Sequence, residues 1–203
     1  MSCILNIETS TSVCSVALSM DGEVLFAKAS FDGPSHAALL GVFVEEALSV
    51  LKKKGKKALD AVAVSSGPGS YTGLRIGVSV AKGLCFGFGI PLIGIHTLDI
   101  MAATAIKENK SAAGCLYCAM LDARRMEVYA AIYDSSLKLV RETTADIVEA
   151  DTYSPYLEKG KICFFGNGAA KCKSVITSPN AIFIEDIHPL AVNMIPLAEQ
   201  AFA

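Results

Sequence analysis

Cys3-Ile4-Leu5-Asn6-Ile7-Glu8, then Thr9-Ser10-Thr11-Ser12, then Val13 to Met20, Asp21-Gly22 and Glu23 to Ser30 make up the stretch on which the fold turns. It reads as strand, polar turn, strand, tight hairpin turn and strand, a three-stranded meander. Asp32-Gly33-Pro34-Ser35 breaks the sheet. A helix is predicted over 35–54, with Ser35 as its N-cap or Pro34 at its start, and with Gly55 closing it. Leu59 to Ser65 is almost continuously apolar, as a strand covered on both faces should be. Gly67-Pro68-Gly69-Ser70 then turns the chain into a second helix, 71–88. A strand at 91–95 follows, and a helix capped by Thr97 runs to about Lys107.

Lys107-Glu108-Asn109-Lys110-Ser111 is the most polar break in the chain and is taken as a domain boundary. Beyond it, strands are predicted at 115–121, 127–133 and 137–142. Setting Asp122 against Glu8 aligns Leu121 with Ile7, Ala131 with Ala17, Ile132 with Leu18, and Ser135-Ser136 with Asp21-Gly22. Both halves open with strand, acidic turn, strand, tight turn, strand. Two copies of one βββαβα unit, 1–106 and 107–203, account for this, so the expected fold is α/β with two tandem RNase H-like lobes. The second half continues with a strand at 162–165, Gly166-Asn167-Gly168, a short helix over 169–175, a strand at 182–184 and an apolar helix from Leu190.

Composition removes several classes. Eighteen Lys and Arg face twenty Asp and Glu, for a net charge of −2. A nucleic-acid module would carry a large basic excess. Hydrophobic residues make up 52% and charged residues 19%. The longest charge-free apolar stretch, Gly83 to Leu98, is interrupted by Pro91 and His96, and falls short of the roughly 20 residues of a spanning helix. The first basic residue is Lys28, so no secretory leader is expected and a cytoplasmic location is. Seven cysteines, an odd number, argue against a disulfide framework. Cys115 and Cys118 have redox or zinc spacing. They sit in a strand-like apolar run, with no second Cys/His pair to complete four ligands.

The segment Ser66-Gly67-Pro68-Gly69-Ser70-Tyr71-Thr72-Gly73-Leu74-Arg75-Ile76-Gly77 is the most distinctive. With Ile7-Glu8-Thr9-Ser10, Ala81-Lys82-Gly83-Leu84, Asp122-Ala123-Arg124, Glu127-Val128-Tyr129 and Gly166-Asn167-Gly168, it resembles the TsaB (YeaZ) family, bacterial partners of TsaD. The likeness spans most of residues 3–175. It implies two lobes of the actin/hexokinase/Hsp70-like type. It also implies a non-catalytic scaffold or dimerisation subunit that activates a TsaD-like threonylcarbamoyltransferase, which makes threonylcarbamoyladenosine beside the tRNA anticodon. The partners implied are that transferase, a TsaE-like ATPase and, through the complex, tRNA. A homodimer of the isolated chain is expected from the apolar helix patch described below, which can pair with its own copy. The family continues past a helix like 190–203, so a shortened C-terminal end is expected.

Two other classes remain as alternatives: an independent ATPase or phosphotransferase of the same fold, and a glycoprotease-like metallopeptidase. TsaD-like relatives hold a metal through His-x-x-x-His, which sets two imidazoles one helical turn apart. Here His36, His96 and His188 are far apart in sequence, and the corresponding positions fall on Thr97 and Met101. No metal and no catalytic residue are therefore expected. Gly67-Pro68-Gly69-Ser70 precedes a helix, where backbone amides can hold phosphate. It lacks a P-loop lysine, and a tight turn capped by Ser70 or Thr72 is the favoured reading. Thr9, Ser10, Gly69 and Ser70 are the residues for any nucleotide contact. No cofactor is expected in the isolated chain, with ATP or ADP admitted only at the partner interface. Asp122 beside Arg124-Arg125 reads as a surface ion pair in a hairpin. Lys52-Lys53-Lys54-Gly55-Lys56-Lys57 reads as a solvated helix end rather than an RNA contact.

The first two helices carry apolar residues on several sides, and the second adds Gly73-x-x-x-Gly77 and Gly83-x-x-x-Gly87, spacings that permit close helix approach. Leu40, Phe43, Ala47 and Val50 on the first, with Leu74, Val78 and Ala81 on the second, are expected to form an exposed apolar patch for the partner.

Overall fold

Residues 2–33, 35–55, 58–108 and 114–203 are described by a computed structural model. The opening stretch forms β1 (Cys3–Glu8), β2 (Cys14–Met20) and β3 (Glu23–Ser30), paired antiparallel in sequence. Asp21 and Gly22 both take positive φ at the hairpin turn, the conformation that this dipeptide tolerates best. After α1 (His36–Lys53), the apolar run becomes β4 (Ala61–Ser65), parallel to β1. After α2 (Tyr71–Phe88) comes β5 (Leu92–Ile95), parallel to β4, and then α3 (Thr97–Glu108). The strand order is β3-β2-β1-β4-β5.

The second half repeats this plan. β6 (Leu116–Asp122), β7 (Glu127–Tyr133) and β8 (Leu139–Ile147) form the meander. Beyond the short helix α4 (Ser154–Leu157), β9 (Ile162–Phe165) pairs parallel with β6. Beyond α5 (Ala169–Cys172), β10 (Ala181–Ile184) pairs parallel with β9. The order β8-β7-β6-β9-β10 is that of the first sheet. The fold is two tandem actin-like lobes.

The last helix, α6 (Ala191–Phe202), departs from the expected division at 106/107. By contact the chain separates into 1–100 with 189–203, and 101–188. The reason is where α6 buries its apolar face. Met194 and Ala198 pack with Ile4, Ala61, Ala63 and Ile95 of the first sheet, and Ile195 packs with Ala17. Polar ties hold it there. Glu199 accepts from Ser2 Oγ at 2.5 Å and the Gly22 amide at 3.1 Å, and the Ala191 amide donates to Ser15 Oγ at 3.0 Å. The predicted strand 137–142 extends instead to Ile147, and α4 was not anticipated. Among the described residues no helix is long and apolar enough to cross a membrane.

Candidate functional site

The most constrained contact in the first lobe joins the β1–β2 turn to the start of α2. Gly73 lies so close to Thr9 that a side chain there would overlap the Thr9 carbonyl, and one at Gly69 would overlap Ser10. The closeness is used for hydrogen bonds. Thr9 Oγ1 donates to the Gly73 carbonyl at 2.8 Å, and the Ser70 amide donates to the Ser10 carbonyl at 2.6 Å. Ser70 caps α2, its hydroxyl accepting from the Gly73 amide. The four residues named for a nucleotide, Thr9, Ser10, Gly69 and Ser70, are thus brought together, with Thr9 and Ser10 buried.

Glu8 ends β1 directly beneath this turn and has no exposed surface. Its Oε1 accepts from the Ser10 amide at 2.5 Å. Burial drives its carboxyl up from 4.5 to about 7, against the opposing hydrogen bonding of Ser10, Ser65 and Thr9. The folded chain therefore holds this proton more tightly than the unfolded one. The associated stability is complete below pH 4.5 and is lost as pH rises through 7.

Asp122, the matching position in the second lobe, is treated in the opposite way. Lys171 Nζ pairs with it and also donates to the carbonyls of Arg125 and Glu127, each at 2.7 Å. The Lys171 hydrogen bond leads the effects holding Asp122 below the usual carboxylate range. Asn167 Oδ1 accepts from the Asp122 amide at 2.9 Å, which gives the Gly166-Asn167-Gly168 segment its role. The expected hairpin ion pair with Arg124 or Arg125 does not form. Both arginines adopt left-handed φ, and one lysine gathers the carbonyls of their turn. Lys171 was invisible in sequence because it comes from α5, far along the chain. Its replacement by Met is expected to loosen the β6–β7 turn, seen as faster amide exchange at Glu127, whose N–H bonds the Arg124 carbonyl.

The expected partner patch needs correction. Leu40, Phe43, Ala47 and Ala81 are buried in the first lobe's own core with Leu5, Ile7, Val16 and Val64. Val50, Leu74 and Val78 are only partly exposed. The buried four lie on helix faces turned to the sheet, and Val78 packs against the same core, so the sheet itself covers them. What remains open is the reverse side. On α2 it carries Arg75, Ser79, Lys82, Gly83 and Phe86, and on α1 Gly41, Val42, Glu45 and Ser49. Phe86 is 93% exposed and Tyr71 75%, with Val42 and Phe88 near half. The two glycine pairs divide accordingly. Gly73 and Gly77 receive the β1–β2 turn, whereas nothing lies within 4 Å of a Cβ at Gly83 or Gly87.

His36 Nε2 lies 2.7 Å from the Thr11 carbonyl, His96 is exposed, and His188 belongs to the second unit. Among the described residues no three His, Cys, Asp or Glu side chains converge as metal ligands. All seven cysteines are buried thiols. Burial raises the Cys118 thiol, which disfavours its thiolate. Lys52, Lys53 and Lys54 are exposed at the end of α1, while Lys56 and Lys57 lie outside the described residues.

Residues 32–179 match the family model described as TsaD: tRNA N6-adenosine threonylcarbamoyltransferase. The chain is 32% identical to the tRNA threonylcarbamoyladenosine biosynthesis protein TsaB of Escherichia coli, over 98% of this chain and 87% of that one. It is 38% identical, over 48% of its length, to a tRNA N6-adenosine threonylcarbamoyltransferase of Nitratidesulfovibrio vulgaris, covering 31% of that protein. A Pseudomonas aeruginosa structure described as similar to peptidase YEAZ superposes with a TM-score of 0.82 at 27% identity, covering all of this chain and 92% of the other. Taken with the twin βββαβα lobes and the Gly67–Gly73 loop, these likenesses lead to one conclusion: the chain belongs to the TsaB family of tRNA threonylcarbamoyladenosine biosynthesis proteins.

Proposed function

We propose that the chain is a non-catalytic subunit that binds a TsaD-like threonylcarbamoyltransferase through the open sides of α1 and α2, and holds it in its active arrangement for tRNA modification. The observation that carries this is Phe86, an aromatic ring almost wholly in solvent on a helix whose neighbouring positions, Ser79, Gly83 and Gly87, are small. Burying such a ring is worth about 2–3 kcal/mol, and small neighbours let a second helix come close. Tyr71, Arg75, Val42 and Phe88 extend the face, an aromatic and arginine content suited to an interface. The family-model match to the transferase supports a partner built on the same plan, meeting this face with its own equivalent helices about a pseudo-twofold axis. A second copy of this chain would use the same face and compete.

The geometry at Glu8 supports a structural rather than catalytic role. The Thr9 hydroxyl and the Ser10 and Ser70 amides are already engaged, and a phosphate placed there would face Glu8, which takes part in no ion pair among the described residues. ATP or ADP use is therefore assigned to the assembled complex with its TsaE-like ATPase, not to Thr9, Ser10, Gly69 and Ser70. Thr97 and Met101 supply no imidazole, which disfavours the metallopeptidase reading. The cytoplasm, where tRNA is modified, is the assigned location.

Replacing Phe86 with Asp should reduce capture of the cognate TsaD-like chain by about 30-fold or more, the equivalent of 2 kcal/mol. Thermal stability should stay within about 2 °C, as for other surface changes. Undiminished capture by the folded variant would move the interface elsewhere.

A further inference from the structure

The turn between β6 and β7 carries two consecutive exposed arginines, Arg124 and Arg125. Their φ angles are +71° and +46°, a left-handed backbone that residues with a side chain adopt at a cost. Glycine or asparagine would take the same turn with less strain. The arginines are kept in it by groups from outside the turn. Lys171 Nζ, from α5, donates to the carbonyls of Arg125 and Glu127 at 2.7 Å and of Arg124 at 3.4 Å, and it pairs with Asp122. The Val148 amide, from beyond β8, donates to the Met126 carbonyl at 2.9 Å. Asn167, from the loop after β9, holds the Asp122 amide at 2.9 Å.

The result is a tip of one electrical sign. All four carbonyls from Arg124 to Glu127 accept hydrogen bonds from within the chain. The amides of Arg125 and Met126 donate to no group among the described residues. Successive unengaged amides in a turn are an anion-binding arrangement. Arg124 and Arg125 themselves take part in no ion pair among the described residues. Asp122, the nearest acid in the chain, is held by Lys171 and by the Arg124 amide at 3.0 Å. Glu127, the next, is partly buried in β7 and pairs with neither arginine. Two guanidiniums and two amide dipoles therefore gather where the carbonyl dipoles have been drawn away.

We propose that this tip binds RNA phosphate: Arg124 and Arg125, with the amides of Arg125 and Met126, grip the sugar–phosphate backbone of the tRNA on which the assembled complex acts. That the anion is RNA rests on the function proposed above, whereas the affinity for an anion rests on the turn itself. The planar fork of arginine matches phosphate oxygens, and backbone amides share in such contacts. Two exposed arginines at a hairpin tip suit successive phosphates of a polymer, whereas a small anion is held in an enclosed pocket. The net charge of −2 gives the chain no general pull on RNA, so the contact is local to the tip. It positions the tRNA and does not select its sequence.

The test uses the full chain assembled with its cognate TsaD-like chain, with unmodified tRNA as the probe. Binding is titrated from about 50 to 200 mM salt, the range over which phosphate contacts are lost. Arg124→Gly/Arg125→Gly removes both guanidiniums and supplies residues that take positive φ freely, so its melting temperature should stay within about 2 °C of the native one. Its affinity for tRNA should fall on the order of tenfold at the low-salt end, and the slope of log affinity against log salt should shrink by about 1 to 2. Arg124→Lys/Arg125→Lys keeps the charges and should keep most of the slope. Both variants should capture the TsaD-like chain as the native chain does. A folded glycine variant with native affinity and native slope would overturn the proposal. So would a glycine variant that loses the TsaD-like chain while the native salt slope for tRNA persists, since the tip would then be a protein contact. If the native chain itself fails to capture the TsaD-like chain, the partner reading falls alone. The same comparison on the isolated chain at low salt then decides the tip, and an unchanged slope or no binding of tRNA overturns it.

Discussion

Phe43→Asp is expected to unfold the first lobe rather than yield a folded, partner-deficient subunit. Phe43 is 4% exposed, and its neighbours on α1 one turn away, Leu40 and Ala47, are buried with it beneath β1, β2 and β4. Lys28 Nζ lies 4.8 Å from the ring centroid, but it already pairs with Glu46 at 2.7 Å and sits at the rim. Loss of the ring costs about 3–5 kcal/mol, and an unpaired carboxylate in its place adds several more. That total rivals the 5–15 kcal/mol that holds a typical domain together. Circular dichroism should find no cooperative transition, or one lowered by more than about 15 °C. A variant melting like the native chain would mean that the inner faces of α1 and α2 are not core.

Asp146→Ala should be the most damaging single change in the second lobe. Asp146 accepts from Arg141 at 2.6 and 2.7 Å, from Thr144 Oγ1 at 2.8 Å and from Tyr153 Oη at 2.8 Å. Burial pushes its carboxyl up, but the donations from Arg141, Thr144 and Tyr153 outweigh that and hold it below its ordinary value. Truncation strands a half-buried guanidinium and the hydroxyl of Tyr153, whose ring packs edge-on against Phe164 at 5.3 Å. Breaking such a network by removing one partner costs about 3–5 kcal/mol, roughly 10 °C in melting temperature for a chain of this size. The pH dependence follows from the lowered carboxyl. The native chain holds this stability above the unfolded carboxylate value near 4 and loses it as pH falls through the folded one, so the gap between native and variant should close in acid. An equal melting temperature at pH 7 would contradict the network's role.

The fold was legible because its signals are local. Alternation and the Asp21-Gly22 turn mark the first meander, and the offset between Glu8 and Asp122 marks the second. Helix α2 begins and ends where its capping residues say, at Ser70 and Gly89. The errors arose where distance decides. Leu40, Phe43, Ala47 and Ala81 are apolar enough for either a core or a partner, and only the position of the sheet assigns them. α6 was given to the second lobe by chain order, but its apolar face belongs to the first. Asp122 drew attention to the adjacent arginines, while its ion-pair partner, Lys171, arrives from another element. Glu8 was visible as part of a motif, yet its environment depends on Ser65, which arrives from β4 far along the chain.

The central claim, that this chain acts by engaging a transferase through the open side of α1 and α2, is tested most directly by reconstituted transfer. Threonylcarbamoyl transfer to tRNA would be measured with the cognate TsaD-like chain and its supply of adenylate, adding the native subunit, the Phe86→Asp variant or no subunit. Transfer that requires the native subunit, falls at least tenfold with the folded variant, and returns in part at high variant concentration is the predicted result. Full transfer without the subunit, or equal transfer with Phe86→Asp at limiting concentration, would contradict it.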